Sequence, residues 1–299
     1  MSDRLKIGLI GAGVFAGYHA NKLTEHPSAL FTGVVDRDAV AAENLAKRHN
    51  IKPMSLTDLF AQSEAVVIAS PASTHGAIAI QALEAGCHCL IEKPIATTAS
   101  EAEKIASLAA DKKLTVQVGH QERLIFHAVG LMELGVRPLK IQAVRNSKYS
   151  KRGTDTSVTM DLMTHDIDLC TALMGAAPEA VSGQAKTIRS DHPDMSWARL
   201  SYGETTAVLE SSRVAESSER RMKLTYPSGI VEIDFNAKTL TNTTPFELKE
   251  DFSEDGRAKD SLGAATDIFI KAVTDRTPVL VTAREGAIAA QTALKIDGA

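Results

Sequence analysis

Tryptophan occurs once in these 299 residues, aromatic side chains make up 4%, and there are 3 cysteines. Cys87, Cys89 and Cys170 cannot all pair with one another, and their spacing matches no zinc-ligand pattern. A disulfide framework is therefore excluded, and reduced, structural thiols in a cytoplasmic protein are expected. No apolar run approaches the length that spans a bilayer, so no membrane partner is expected. The opening MSDRLKIGLIGAG has no long apolar stretch or small-residue cleavage site, which argues against a signal peptide. Nor is there a basic excess: Lys and Arg number 33 against 37 Asp and Glu, a net charge of −4. Nucleic acid is accordingly not an expected partner. Repeats and low-complexity tracts are lacking too. What remains is ordinary for a globular chain, 44% hydrophobic and 23% charged, and long enough for two domains that each bury a core.

The most informative segment lies near the start. A mostly apolar run, residues 5–10, feeds into Gly11-Ala12-Gly13-Val14-Phe15-Ala16-Gly17. It reads as a strand breaking into a glycine turn and opening a helix, the geometry that receives a dinucleotide pyrophosphate. Gly11 allows the tight turn, Gly13 leaves room for phosphate, and Ala16 or Gly17 permits close helix–strand packing. Val14 and Phe15 start the helix, whose N–H groups and positive dipole end favour an anion. A second strand, 31–35, ends in Asp36, about 20 residues past the glycines, where an acid accepts hydrogen bonds from ribose hydroxyls. A carboxylate there favours NAD and repels the 2′-phosphate of NADP; Arg37 beside it softens that preference. The competing reading is that Asp36 caps the next helix. Glycine loop and acid together predict a Rossmann unit.

Strand-like and helix-like segments alternate through residue 120: helices over 39–49, 57–62, 75–85 and 99–110, strands over 65–69, 87–91 and 115–118. This predicts a doubly wound parallel sheet with its ligand at the carboxyl ends of the strands. The pattern then changes. Helices are expected over 123–134 and 157–174, and strands over 140–147, 180–188, 198–202, 205–212, 221–226 and 230–235. Residues 250–259 read as a polar loop, and helices over 264–274 and 283–296 close the chain, the last with a Thr282/Glu285 capping box. The expected fold class is therefore α/β: a dinucleotide-binding domain over 1–120 and, over 121–299, an α/β domain on an open, mostly antiparallel sheet.

Lys93 in Glu92-Lys93-Pro94 leaves a parallel strand at the ligand-binding end. Position alone leaves two readings equally open: a solvated lysine before a proline, or a donor that holds developing alkoxide charge. In MDLMTHDID, Asp161, His165 and Asp168 recur at helical spacing and share one face. A catalytic histidine oriented by carboxylates, a metal site and a solvated helix face all fit; hydride transfer needs no metal, and none is expected. Ser70 and Pro71 begin a loop beside the cofactor position, and His75 is read as positioning that loop or contacting cofactor. His19 is read as packing. Lys148, Lys151 and Arg152, around Tyr149, suit either a phosphate of the substrate or solvent.

Taken together, GLIGAGVFAGYH, ASPASTHGAIAIQALEAGCHCLIEKP and MDLMTHDIDL resemble the Gfo/Idh/MocA oxidoreductases. The resemblance runs through most of the chain. It implies an enzyme with a Rossmann domain and a second domain whose open sheet is used for oligomer contacts, hence a homo-oligomer, dimer or tetramer. It also implies Lys93, Asp161 and His165 as the catalytic set, Glu92 near the cofactor, and a cis peptide before Pro94. Ala16 stands at the third glycine position, and Thr156-Ser157-Val158-Thr159 replaces the glycine-rich lead usual before the Asp-x-x-x-His motif. VGHQER and DLMTHDIDL are similar to the UDP-N-acetylglucosamine 3-dehydrogenase branch, which implies oxidation of the 3-hydroxyl of a nucleotide sugar, with Arg123 on the substrate. Leu124-Ile125-Phe126 departs from the Phe-Asn-Pro common in that branch. A free polyol such as an inositol as substrate, and a non-catalytic NAD-binding regulator, are the alternatives.

Overall fold

The computed structural model describes residues 4–298. They form two compact units, residues 4–120 with 262–287, and residues 121–261 with 288–298.

In the first unit the strands are β1 (Leu5–Ile10), β2 (Ala29–Val35), β3 (Lys52–Pro53), β4 (Ala65–Ile68), β5 (His88–Ile91) and β6 (Val116–Val118). The helices are α1 (Val14–Glu25), α2 (Ala39–His49), α3 (Leu56–Gln62), α4 (Ala72–Glu84) and α5 (Ala99–Asp111). The strands pair in parallel in the order β3-β2-β1-β4-β5-β6. With helices on both faces such a sheet must be apolar throughout; β4, Ala-Val-Val-Ile, is buried at every position. Local chemistry sets the helix starts. Asp38 caps α2 by accepting from the N–H of Val40 and Ala41, and Thr98 caps α5 at Glu101. Strand order reverses between β1 and β4, and this switch point leaves a crevice at the carboxyl ends of the strands.

The second unit contains α6 (Arg123–Val129), β7 (Lys140–Asn146), a π-helix (Thr159–Met163) continuing directly into α7 (Thr164–Met174), and then β8 (Ala180–Lys186), β9 (Met195–Tyr202), β10 (Thr205–Ser212), β11 (Glu219–Tyr226), β12 (Gly229–Asp234) and β13 (Thr239–Asn242). Its sheet runs β13-β12-β11-β7-β10-β9-β8 and is antiparallel except where β7 meets β10. Burial alternates along the strands, as a sheet with one covered face requires: Ile141 and Ala143 of β7, Leu200 of β9, Leu209 of β10 and Leu224 of β11 are buried. Short α8 (Gly256–Lys259), α9 (Ser261–Thr274) and α10 (Ala283–Asp297) end the chain.

Four expectations are corrected. The helix expected over 123–134 stops at Val129, because Gly130 takes a left-handed φ of 89° as its cap. The helix expected over 157–174 opens as a π-turn. Residues 256–259 of the expected loop are helical, started by the Asp255 side chain accepting from Arg257 N–H. Residues 262–287, assigned from the sequence to the second domain, belong to the first unit. There Phe269 and Ile270 of α9 join Ile7, Leu9, Leu23 and Leu45 in one core. Each large apolar side chain so buried contributes roughly 1.5–3 kcal/mol.

Candidate functional site

Gly11 ends β1 with φ +111°, and a β-carbon there would lie 2.6 Å from the carbonyl oxygen of Ala69. Only glycine fits between β1 and the segment leaving β4. Gly13 differs: nothing lies within 4 Å of the position its β-carbon would take. No side chain caps α1, and its first turn has no acid. The N–H groups of that turn are thus left without a side-chain cap beside the open space at Gly13, which suits a pyrophosphate. Ala16, fully buried, makes the close helix–sheet contact, whereas Gly17 borders open space. Val14 is exposed and Phe15 half-buried beside the same turn.

Asp36 ends β2 and has two local partners. Its Oδ2 accepts from Ala12 N–H at 2.6 Å, and its Oδ1 accepts from Asp38 N–H at 2.9 Å. The capping residue of α2 is Asp38, so the alternative reading of Asp36 fails. Each Asp36 oxygen keeps a lone pair for a hydroxyl donor, and Arg37 beside it is exposed. These groups fit a dinucleotide.

His75 is buried, its Nδ1 2.8 Å from the Pro94 carbonyl oxygen and its Nε2 2.9 Å from that of Ser70. It ties the Ser70-Pro71 loop to the Lys93-Pro94 segment, whose peptide is cis. Glu92, also buried, meets His19 Nε2 at 2.8 Å. His19 thus packs edge-on to Phe15, 5.6 Å between rings, and also bonds across to the carboxyl end of β5. Lys93 follows at that end and is half-buried. The first unit therefore gathers Gly11, Gly13, Asp36, Ser70, His75, Glu92 and Lys93 around the carboxyl ends of its strands.

In the second unit Asp161 lies on the π-helix and His165 in the first turn of α7. Asp168 does not line a polar face with them. It is buried and accepts from Arg123, Nε at 2.8 Å and Nη2 at 2.7 Å. Two donors of Arg123, expected from the sequence on the substrate, thus hold a carboxylate inside the fold. Asp166 makes a similar fork with Arg145, at 2.9 and 2.8 Å, and Arg145 also holds Glu122. Two buried, bidentate ion pairs thus hold α7 just after His165. Burial, and after it the Asp166 and Asp168 carboxylates, push the Cys170 thiol well up.

Close approach to Asp161 comes from Gly153, in the connection after β7. With φ +72°, a β-carbon there would sit 2.5 Å from Asp161 Oδ2. Arg213, buried after β10, donates to the Gly153 carbonyl at 2.5 Å and to that of Thr156 at 2.8 Å. Burial lowers its pKa; Asp161, Asp194, Asp155 and Tyr149 act the other way. Ser157 and Thr159 donate to Asp297 of α10, whose carboxyl is pushed up by burial. Lys148, Lys151 and Arg152 are exposed on this same connection. Sequence reasoning missed Gly153 and Arg213, and no local signal marks either.

Among the described residues no group of three or more His, Cys, Asp or Glu side chains is placed to hold a metal ion. No described helix is long and apolar enough to cross a membrane.

Residues 5–120 match the signature of the oxidoreductase family with NAD-binding Rossmann fold, and residues 136–232 that of the GFO/IDH/MocA C-terminal domain. UDP-N-acetylglucosamine 3-dehydrogenase of Acidithiobacillus ferrooxidans is 32% identical over 286 residues, 92% of this chain and 90% of the relative. Its solved structure superposes with a TM-score of 0.89 at 30% identity, covering 99% of this chain and 97% of that one. An inositol 2-dehydrogenase of Rubrobacter xylanophilus is 32% identical over only 179 residues, 56% of this chain and 51% of the relative. A Chromobacterium violaceum dehydrogenase in complex with NADH and UDP-GlcNAcA has a TM-score of 0.85 at 20% identity, covering 99% and 94%, a likeness of fold alone.

Proposed function

The chain belongs to the Gfo/Idh/MocA family of oxidoreductases, and from that premise we propose that it is an NAD-dependent dehydrogenase of a nucleotide sugar, oxidising the 3-hydroxyl of a UDP-N-acetylglucosamine-like substrate. The carrying observation is the placement of Lys93 at the carboxyl end of β5, on the same rim of the sheet as the Gly11–Gly13 cradle and Asp36. The relative that matches 92% of the chain supports the nucleotide sugar over a free polyol, since the inositol dehydrogenases match over 56–74% of it.

In this reading Gly11, Gly13 and the first turn of α1, with Val14 and Phe15, receive the pyrophosphate. Asp36 accepts from the ribose hydroxyls and disfavours NADP; Arg37 lies beside it. Ser70, Pro71, His75 and Glu92 shape the nicotinamide end. The bound nicotinamide supplies a hydride acceptor. His165 takes the hydroxyl proton at an imidazole nitrogen, Asp161 orients it or contacts substrate, and the Lys93 ammonium donates to the oxygen as its charge develops. Lys148 and Arg152 suit the substrate diphosphate.

The three cysteines, buried and unbridged, support a cytoplasmic setting. The second unit serves substrate binding and assembly. The outward face of its sheet, where Val208 is 41% exposed, is the surface on which a second copy of the chain is expected.

Lys93→Met is the direct test. With NADH absorbance as readout, turnover of UDP-N-acetylglucosamine is expected to fall about 10²–10³-fold, while NAD affinity, measured by fluorescence quenching, is largely kept. Unchanged turnover removes Lys93 from the mechanism. NAD binding without turnover of any sugar in the parent protein overturns the enzyme reading in favour of a regulator.

A further inference from the structure

Arg189 lies in the connection between β8 and β9, exposed, with its guanidinium carbon 4.1 Å from the centre of the Tyr149 ring. Tyr149 belongs to the connection after β7 that carries Lys148, Lys151 and Arg152. Among the described residues no ion pair holds any of these four cationic side chains. Asp155 and Asp191 are the exposed acids on the same two connections.

Both connections are anchored. The Asp194 carboxylate, fully buried, accepts at Oδ2 from the N–H of Ile188 at 2.8 Å, Arg189 at 2.6 Å and Ser190 at 3.0 Å, and at Oδ1 from Ser190 Oγ at 2.7 Å. Burial opposes its charge, but these donors outweigh burial and hold the carboxyl well below the usual range. The backbone under Arg189 is therefore fixed. Across from it, Arg213 holds Gly153 and Thr156, and Gly153 packs on Asp161. Tyr149 and Asp161, both in the second unit, each act electrostatically on Arg213.

A guanidinium stacked on an aromatic face keeps its N–H edge free, and that edge matches phosphate oxygens two at a time. Unpaired cations on anchored backbone attract a diphosphate with little ordering cost, while a neutral polyol gains nothing from them. We propose that Arg189, held over Tyr149, joins Lys148 and Arg152 in a diphosphate clamp that selects nucleotide-linked over free sugars; this rests on the nucleotide-sugar reading above.

Calorimetric titration of the NAD-saturated protein with UDP and with uridine tests it. UDP is expected to bind far more tightly than uridine, the more so at low salt. Arg189→Ala is expected to weaken UDP about 10- to 100-fold, the range of a charged hydrogen bond, with uridine unaffected and the KM for UDP-N-acetylglucosamine raised by the same factor. Tyr149→Ala should weaken UDP in the same direction, and Tyr149→Phe, which keeps the ring, should not. The exposed site means thermal melting is unchanged by Arg189→Ala. Equal UDP affinity in parent and Arg189→Ala overturns the clamp, as does equal loss of UDP and uridine, which assigns Arg189 to the base. A parent protein that turns over UDP-N-acetylglucosamine while Arg189→Ala binds UDP normally refutes the clamp alone. One that neither binds UDP nor oxidises UDP-N-acetylglucosamine refutes the substrate reading and the clamp together.

Discussion

Gly11 and Gly13 occupy one loop for different reasons, and substitution separates them. Gly13→Ala meets no atom within 4 Å and keeps a φ of −73° that alanine adopts freely. Its melting temperature is expected to match the parent's while NAD affinity falls, because the methyl occupies the phosphate's space. Gly11→Ala forces a β-carbon against Ala69 and a φ near +111°. It is expected to cost about 1–3 kcal/mol of stability in chemical denaturation and to lose NAD binding with it. Equal melting of the two variants would refute this division. Asp36→Ser is expected to raise NADP use relative to NAD, read as the ratio of kcat/KM values, by removing the charge that repels a 2′-phosphate.

At the scale of elements, the connections around Asp161 hold their shape through long-range partners. Gly153→Ala drives a β-carbon onto Asp161 Oδ2. The expected outcome is lower turnover with NAD affinity retained, because the displaced carboxylate and the cofactor cradle belong to different units. Asp194 anchors the β8–β9 connection, and its pKa is depressed in the folded state. The native protein therefore binds fewer protons than the unfolded chain between the depressed value and the ordinary one near 4. Its contribution to stability is complete above about pH 4 and is lost as pH falls through that window. Thermal melts from pH 7 down to pH 2 should show Asp194→Asn less stable at neutrality, with the gap narrowing in acid; a gap independent of pH would exclude the charge as the cause.

For the whole molecule, the returning segment 262–287 completes the first unit. Phe269 and Ile270 enter its core, and Gln117 donates to the Ala265 carbonyl at 2.8 Å. A fragment of residues 1–120 is expected to melt well below the same fragment joined by a flexible linker to 262–287; equal melting would make the return dispensable. The paired Arg123–Asp168 fork carries a comparable load in the second unit. Asp168→Ala is expected to cost about 3–5 kcal/mol, because it strands a buried guanidinium.

The sequence by itself determined the plan of two sheets. Alternating β-branched runs and capped helices through residue 120 specify a parallel sheet, and the consecutive period-two strands after 139 specify the other, because each signal is local and repeats within a few residues. Gly11, Gly13 and Asp36 were legible for the same reason, a turn, a cap and a spacing within one βαβ unit. Tertiary structure alone decided that Asp168 neutralises Arg123, that Gly153 rather than a glycine-rich lead meets Asp161, that Arg189 stacks on Tyr149, and that α9 returns to the first core. Each joins positions far apart in the chain, through strand order and the direction of side chains, and neither propensity nor spacing carries that information.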